Sequence, residues 1–254
     1  MRKSKRFPTR ALAFRLLLIL TGALLLMAVF APGANADIIA YFNFEDAANG
    51  SPPDFTSEFD QGLGINTTIT TNYLAADMTT TANFTLGENR VPTDADNPPF
   101  GLHSLGLSRT FPNNGTHFDI PLFSAQGIFS NMTITFAYDN HGNGFSLVSL
   151  SVSTDGGASF TATGVSATMI TGGVFTVGLP VPAAFNNKPL TVLRMIFTGG
   201  TSNGNDPQTE IDNILIGGTI VPEPATVVGG LLGVLGLCFH QRRRLIRWVR
   251  FRRT

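Results

Sequence analysis

Three acids stand where chemistry could use them. Glu45 and Asp46 close an apolar run, Ile38-Ile39-Ala40-Tyr41-Phe42-Asn43-Phe44, and Asp212 sits in a second such run near position 215. Carboxylates backed by main-chain carbonyls are the ligands calcium prefers. The three make a structural calcium site if the first and last strands are neighbours; kept apart, they are solvated strand ends. Asp94, Asp96 and Asn97 also have alternating-ligand spacing, but the glycine and distal glutamate of a helix–loop–helix calcium loop are missing, so a polar loop is expected. His103, His117 and His141 are far apart and no H-E-x-x-H occurs, which argues against zinc. No G-x-S-x-G is present. Glycoside hydrolysis needs two carboxyl groups about 5–9.5 Å apart, a spacing that order along the chain does not fix. Glu45, Glu58, Glu88 and Glu210 are the acids to test for it.

Ser153-Thr154-Asp155-Gly156-Gly157-Ala158-Ser159-Phe160 has the spacing S-x-D-x-G-x-[TS]-[WF] of an Asp-box. There a carboxylate accepts from turn amides while glycine takes φ > 0. A sialidase would carry several copies on propeller blades. One copy predicts a hairpin turn, with Asp155 as a turn residue and not a catalyst. Asp139-Asn140-His141-Gly142-Asn143-Gly144 reads as a second hairpin turn.

The elements that must hold these residues are strands. Met132, Ile134, Phe136 and Tyr138 alternate with polar or small residues, the period of a half-buried strand. Phe145 to Thr154, Val174 to Leu179, Leu190 to Phe197 and Ile211 to Ile216 follow, with Ile38 to Phe44 and Ile65 to Thr71 before them. Thr116 to Leu122 carries Pro121 and is predicted as an edge. Residues 50–115 read as long loops with a few short strands. No stretch from 37 to 221 holds a 3.6 period. Eight or so strands separated by Gly/Asn turns predict an all-β antiparallel sandwich.

The ends differ from the middle. Residues 1–36 hold six bases and no acid, the last 13 hold seven arginines, and residues 37–221 hold 16 acids against four bases, a formal charge of −12. An acidic domain is a poor partner for nucleic acid. The one cysteine, Cys238, falls outside it, so no disulfide frames the domain. Residues 1–36 read as a secretory signal peptide: a basic start, an apolar stretch from Leu16 to Ala31, and Ala34-Asn35-Ala36 as the small-x-small cleavage site, leaving Asp37 first. At the other end come Pro222-Glu223-Pro224, an uncharged apolar run at about 226–239, and Arg242, Arg243 and Arg244 at the head of an Arg-rich tail. As a helix the run reaches ~21 Å, short of a hydrocarbon core of about 30 Å. Flanking arginines snorkel and Trp248 suits the interface. Arginine on one side sets the tail in the cytoplasm and residues 37–221 outside.

Residues 222–254 resemble the PEP-CTERM sorting signal of exopolysaccharide-producing Gram-negative bacteria, by the order of these three parts. The resemblance implies export by the Sec machinery, transient anchoring in the inner membrane, and processing near Pro222, Glu223 and Pro224 by an exosortase, a membrane cysteine protease-transpeptidase. The destination it implies is the cell surface, outer membrane or extracellular matrix. Ala40 to Asp46, Leu193 to Phe197 and Glu210 to Ile214 resemble the jelly-roll domains that such proteins often carry, which implies that the first and last strands lie side by side. The reading that follows is a non-enzymatic surface or matrix protein, associated with biofilm and exopolysaccharide. Its alternative is a glycan-active hydrolase or lyase on a concanavalin-like sandwich.

Overall fold

The computed structural model describes residues 37–44, 55–57, 67–82, 103–123 and 128–221, with 230, 232, 233, 235, 236 and 239 beyond them. The chain divides into two units, 1–35 and 36–254. The first of these, with the predicted signal peptide, lies outside the described residues.

The described residues form eleven strands: β1 (Asp37–Phe42), β2 (Thr70–Thr71), β3 (Met78–Ala82), β4 (His103–Leu107), β5 (His117–Leu122), β6 (Ile128–Asn140), β7 (Leu147–Ser153), β8 (Thr161–Thr168), β9 (Val174–Pro180), β10 (Thr191–Thr198) and β11 (Thr209–Val221). They build two antiparallel sheets. One runs β3-β4-β11-β6-β9 with β1 also on β11; the other runs β2-β5-β10-β7-β8. The inner faces pack as one core. Ile134, Phe136, Ile211 and Ile216 meet Phe118, Ile120, Leu150, Leu193 and Phe197, all at 1% exposure or less. Each such side chain contributes about 1.5–3 kcal/mol on burial. Phe118 and Phe145 set their rings 5.2 and 5.6 Å from Phe197.

β11 organises the six-stranded sheet. On one side it pairs with β6. On the other, Thr209–Ile211 pair with β4 and Ile214–Gly218 pair with β1. The hand-over falls at a bulge between Asp212 and Leu215, where Asn213 takes φ 53°. Asparagine tolerates that left-handed conformation better than most residues do.

Differences from the sequence reading have local causes. Of the strand expected from Ile65 to Thr71, residues 65 and 66 lie outside the described residues, and the rest forms Thr70–Thr71 plus a bridge between Thr56 and Thr68. β5 is not the outermost strand, because β2 covers it; but β2 reaches only Phe118 and Asp119. Pro121 lies beyond that cover, where a missing N–H costs nothing. Phe145 is fully buried but lies ahead of β7.

Candidate functional site

The first cluster sits where the first and last strands meet. β1 pairs antiparallel with β11, Phe42 opposite Ile214, so the chain leaves β1 beside the Asp212 bulge. Asp212 is only 6% exposed. Its carboxylate accepts from the Asn213 main-chain N–H at 2.8 Å and from Asn213 Nδ2 at 3.0 Å. The Tyr41 hydroxyl donates to Asn213 Oδ1. Asn43 is fully buried next to them. Of the three proposed calcium ligands, Asp212 is thus placed at the strand junction, while Glu45 and Asp46 lie outside the described residues. Among the described residues, no three metal-binding side chains form a group.

The second cluster surrounds a cavity of about 540 Å³ between two turns, lined by Asp139, Asn140, His141 and Gly142 on one wall and Thr171, Gly172 and Gly173 on the other. The β6–β7 turn is fixed to the start of β11. Asn140 Nδ2 donates to the Phe145 carbonyl at 2.8 Å, Thr209 Oγ1 donates to Asn140 Oδ1 at 2.9 Å, and the Phe145 N–H donates to Thr209 Oγ1 at 2.9 Å. His141 N–H donates to the Gln208 carbonyl at 2.9 Å. Glu210 lies directly across from Asp139. Burial raises the Glu210 carboxyl above the ordinary glutamate range and the Asp139 charge adds to the rise; His141 and a bond from Ser104 oppose it. A partly buried acid with a raised pKa therefore sits beside a second carboxyl group and a histidine.

The third cluster lies on the outer face of the five-stranded sheet. Arg194 on β10 grips Asp119 on β5 through Nε at 2.6 Å and Nη2 at 2.7 Å. Its guanidinium lies over the Phe160 ring, 3.5 Å from the centroid. His117 Nε2 is 3.7 Å from Asp119. Burial lowers the His117 pKa, with Asp119 raising it and Arg194 lowering it further. Phe160 is delivered by the Asp-box turn. Asp155 accepts from Ser153 Oγ at 2.6 Å and from the Ser159 N–H at 3.0 Å. Ser153 Oγ accepts from the Gly157 N–H at 2.8 Å. These donors, led by the two serine hydroxyls, hold the exposed Asp155 carboxyl well below the usual carboxylate range. Asp155 therefore organises a β7–β8 turn, as its spacing predicts.

The structure does not gather the histidines. His103 opens β4 and His117 opens β5, in different sheets, and His141 stands in the β6–β7 turn. Asp37 opens β1. Ala34, Ala36, Pro222, Glu223, Pro224, Arg242, Arg243 and Arg244 lie outside the described residues, as do Glu58, Glu88, Asp94, Asp96 and Asn97. Of the apolar run at 226–239, Gly230, Leu232, Gly233, Leu235, Gly236 and Phe239 are described and are helical. Among the described residues no helix is long and apolar enough to cross a membrane. The Arg194–Asp119–Phe160 group was absent from the sequence reading. Its signal was a lone base inside Leu193-Arg194-Met195-Ile196-Phe197 and a lone acid inside His117-Phe118-Asp119-Ile120, each mid-strand and each needing a partner.

What fold and sites define is an antiparallel β-sandwich with three polar clusters on its periphery. No family model matches the chain, and no curated protein matches it. Among solved structures it is similar to the CBM22-1 xylan-binding domain of Paenibacillus barcinonensis Xyn10C, at 12% identity and a TM-score of 0.41, covering 74% of this chain and 99% of that one. It is also similar to the carbohydrate-binding module TmCBM27, described for mannan recognition, at 13% and 0.36, covering 73% and 99%. A third is the enzymatically active domain of tailspike protein 4 of bacteriophage CBA120, at 17% and 0.37; the match covers 61% of this chain but 19% of the tailspike chain. These are distant likenesses of shape, and the clusters above stand on their own geometry.

Proposed function

We propose that this chain is an exported, non-enzymatic surface or matrix protein that an exosortase cuts near Pro222-Glu223-Pro224. The observation that carries the reading is where β11 ends. β11 runs to Val221, still paired with Ile128 of β6, and the Pro-Glu-Pro begins at the next residue. Two prolines around Glu223 oppose helix, so a protease meets extended backbone between a finished domain and an apolar run. In this reading the Sec machinery exports the chain, residues 226–239 hold it briefly in the inner membrane with the arginines cytoplasmic, and the released domain ends at the cell surface, outer membrane or matrix of a Gram-negative bacterium. The test is the C-terminal mass of the secreted protein with and without the exosortase. A shortened C-terminus only when the enzyme is present supports the reading; an intact Arg-rich tail in both sinks it.

The strand order supports a jelly roll for the exported domain. β4-β11-β6-β9 and β5-β10-β7-β8 alternate between sheets in the nested way of two Greek keys. For its role we propose association with exopolysaccharide. Support comes from the outer sheet face, where Arg194 and Asp119 are 23% and 17% exposed and already held in a bidentate pair, with Phe160 beneath. Sugar hydroxyls bind such fixed donors and acceptors at little ordering cost. Calcium at Glu45, Asp46 and Asp212 would tie the two strand ends together. The Asp212 carboxylate fits that use, since it is buried and oriented by Asn213. A glycan array on the domain, with and without calcium, tests both proposals.

A second reading, a glycan-active enzyme, is favoured by one observation. Burial raises the Glu210 carboxyl above the ordinary glutamate range, and it lies opposite Asp139, which lines a cavity; a raised carboxyl pKa suits a general acid. Release of reducing ends from a polysaccharide by the native domain, but not by Glu210→Gln, would establish it.

A further inference from the structure

Residues 156–187 include 32 successive positions without a charged side chain, inside a domain of formal charge −12. They form the side of the sandwich where both sheets stop. β8 is the outermost strand of one sheet and β9 of the other, and among the described residues no strand pairs with the far side of either. An open edge is a row of main-chain donors and acceptors able to pair with another chain; proteins usually blunt it with lysine, proline or a bulge. β8 is blunted. Its register against β7 slips between Ser149 and Ser151, and Gly164 stands there at φ 76°. β9 is not. Val174–Pro180 follow β6 residue for residue, from Asp139 back to Thr133, without a slip. Its only proline is at the very end. The exposed Thr176 and Gly178 alternate with the buried Val177 and Leu179. The other edge strands are shorter: six residues in β1, whose register on β11 slips between Ile38 and Ala40, five in β3 and two in β2.

We propose that β9 pairs antiparallel with β9 of a second copy of this chain, joining two six-stranded sheets into one continuous sheet about a two-fold axis. The charge pattern selects the partner. Two domains of −12 repel wherever they show acids to each other. Along β9 no charge faces outward, and the nearest acid on the sheet, Asp139, is one strand further in, opposite Val174. A strand meeting its own copy also needs no second sequence: about a two-fold axis each contact of residue i with residue j is repeated as j with i. This inference rests on the edge geometry and is independent of how the chain is sorted.

The test is cysteine scanning in the full chain, with Cys238→Ser to remove the only native thiol. Single cysteines go at Thr176 and Gly178, at the core-facing Val177, and at Thr154 and Asn203 as exposed controls. A cysteine at 178 fits, because a Cβ there meets only Thr135 Cγ2, at 3.7 Å. Antiparallel pairing brings facing Cβ atoms within disulfide range only close to the two-fold axis. After mild oxidation of whole cells, the expected result is a covalent homodimer from Thr176→Cys or Gly178→Cys at least about fivefold above both controls, with Val177→Cys at control level. Adding Thr176→Asp to Gly178→Cys should remove that excess, by placing like charges across the axis. Dimer at control level from both edge positions, equal dimer at all five positions, or cross-linking only to a different protein would each overturn the proposal.

Discussion

Gly144 and Gly142 lie two residues apart in the β6–β7 turn, and the structure assigns them opposite tolerances. A Cβ on Gly144 would stand 1.7 Å from Asn140 Oδ1, 2.3 Å from the Gln208 carbonyl and 2.5 Å from Thr209 Oγ1. All three contacts are main chain or a buried, bonded side chain: Gln208 offers its carbonyl, Asn140 is 2% exposed and Thr209 is fully buried. None can swing into solvent. Gly144→Ala therefore breaks the Asn140–Thr209 bond and strains the Phe145–Thr209 bond, two hydrogen bonds worth about 1 kcal/mol each, and strands at least one buried polar atom at about 1–3 kcal/mol. The expected loss is about 3–5 kcal/mol. For a domain of this size each kcal/mol is about 2–4 °C, so Tm should fall by roughly 6–20 °C. A Cβ on Gly142 meets nothing within 4 Å, and Gly142→Ala should stay within about 0.5 kcal/mol of the parent or gain slightly. The assay is urea unfolding of the β-sandwich domain followed by far-UV circular dichroism, with the slope checked for constancy. If Gly144→Ala costs less than about 1 kcal/mol, or if the two variants match, the account of this turn as a locked unit is wrong.

Other expectations can be checked alongside. In a double-mutant cycle with Asp119→Asn and Arg194→Met, the bidentate pair should show a coupling of about 1–2 kcal/mol by urea unfolding; a value near zero would mean that the pair is incidental. Glu210 has its folded pKa raised, so its protonated form is favoured in the native state. Its contribution is fully present below the unfolded pKa and is lost as pH rises through the folded one. Glu210→Gln should accordingly gain stability over the parent near neutral pH and lose that advantage in mild acid; an advantage that grows on acidification has the wrong sign. If calcium binds at the β1–β11 junction, adding it should raise Tm in the parent and not in Asp212→Ala, since a ligand of the native state stabilises by mass action. Equal shifts in both proteins would place calcium elsewhere.

Much of the sandwich could be read in the chain because its central strands are half-buried. Met132, Ile134, Phe136 and Tyr138 all point inward and are at most 1% exposed, so their alternation is the physical fact of one wet and one dry face. β8 escaped notice for the converse reason. Thr161-Ala162-Thr163-Gly164-Val165-Ser166-Ala167-Thr168 lies at an edge, exposed or half-exposed throughout. It owes its form to pairing with β7, and its sequence carries no apolar period. The turn chemistry of Ser153, Asp155 and Ser159 is local and was legible. The Tyr41–Asn213 bond spans 172 positions and the Arg194–Asp119 pair 75. Nothing in either short segment names its mate, because topology alone brings them together.

The place of β11 in its sheet has a consequence for the order of events at birth. It is the last made of the described strands, yet it is the shared neighbour of β1, β4 and β6. A chain emerging from its N-terminus keeps β1 and β4 unzipped from the β6 side of the sheet until residues 209–221 arrive. Such long-range closure is slow, since the loop entropy is spent before the contacts form. A chain threaded through a narrow pore would therefore leave its six-stranded sheet open until that strand had passed.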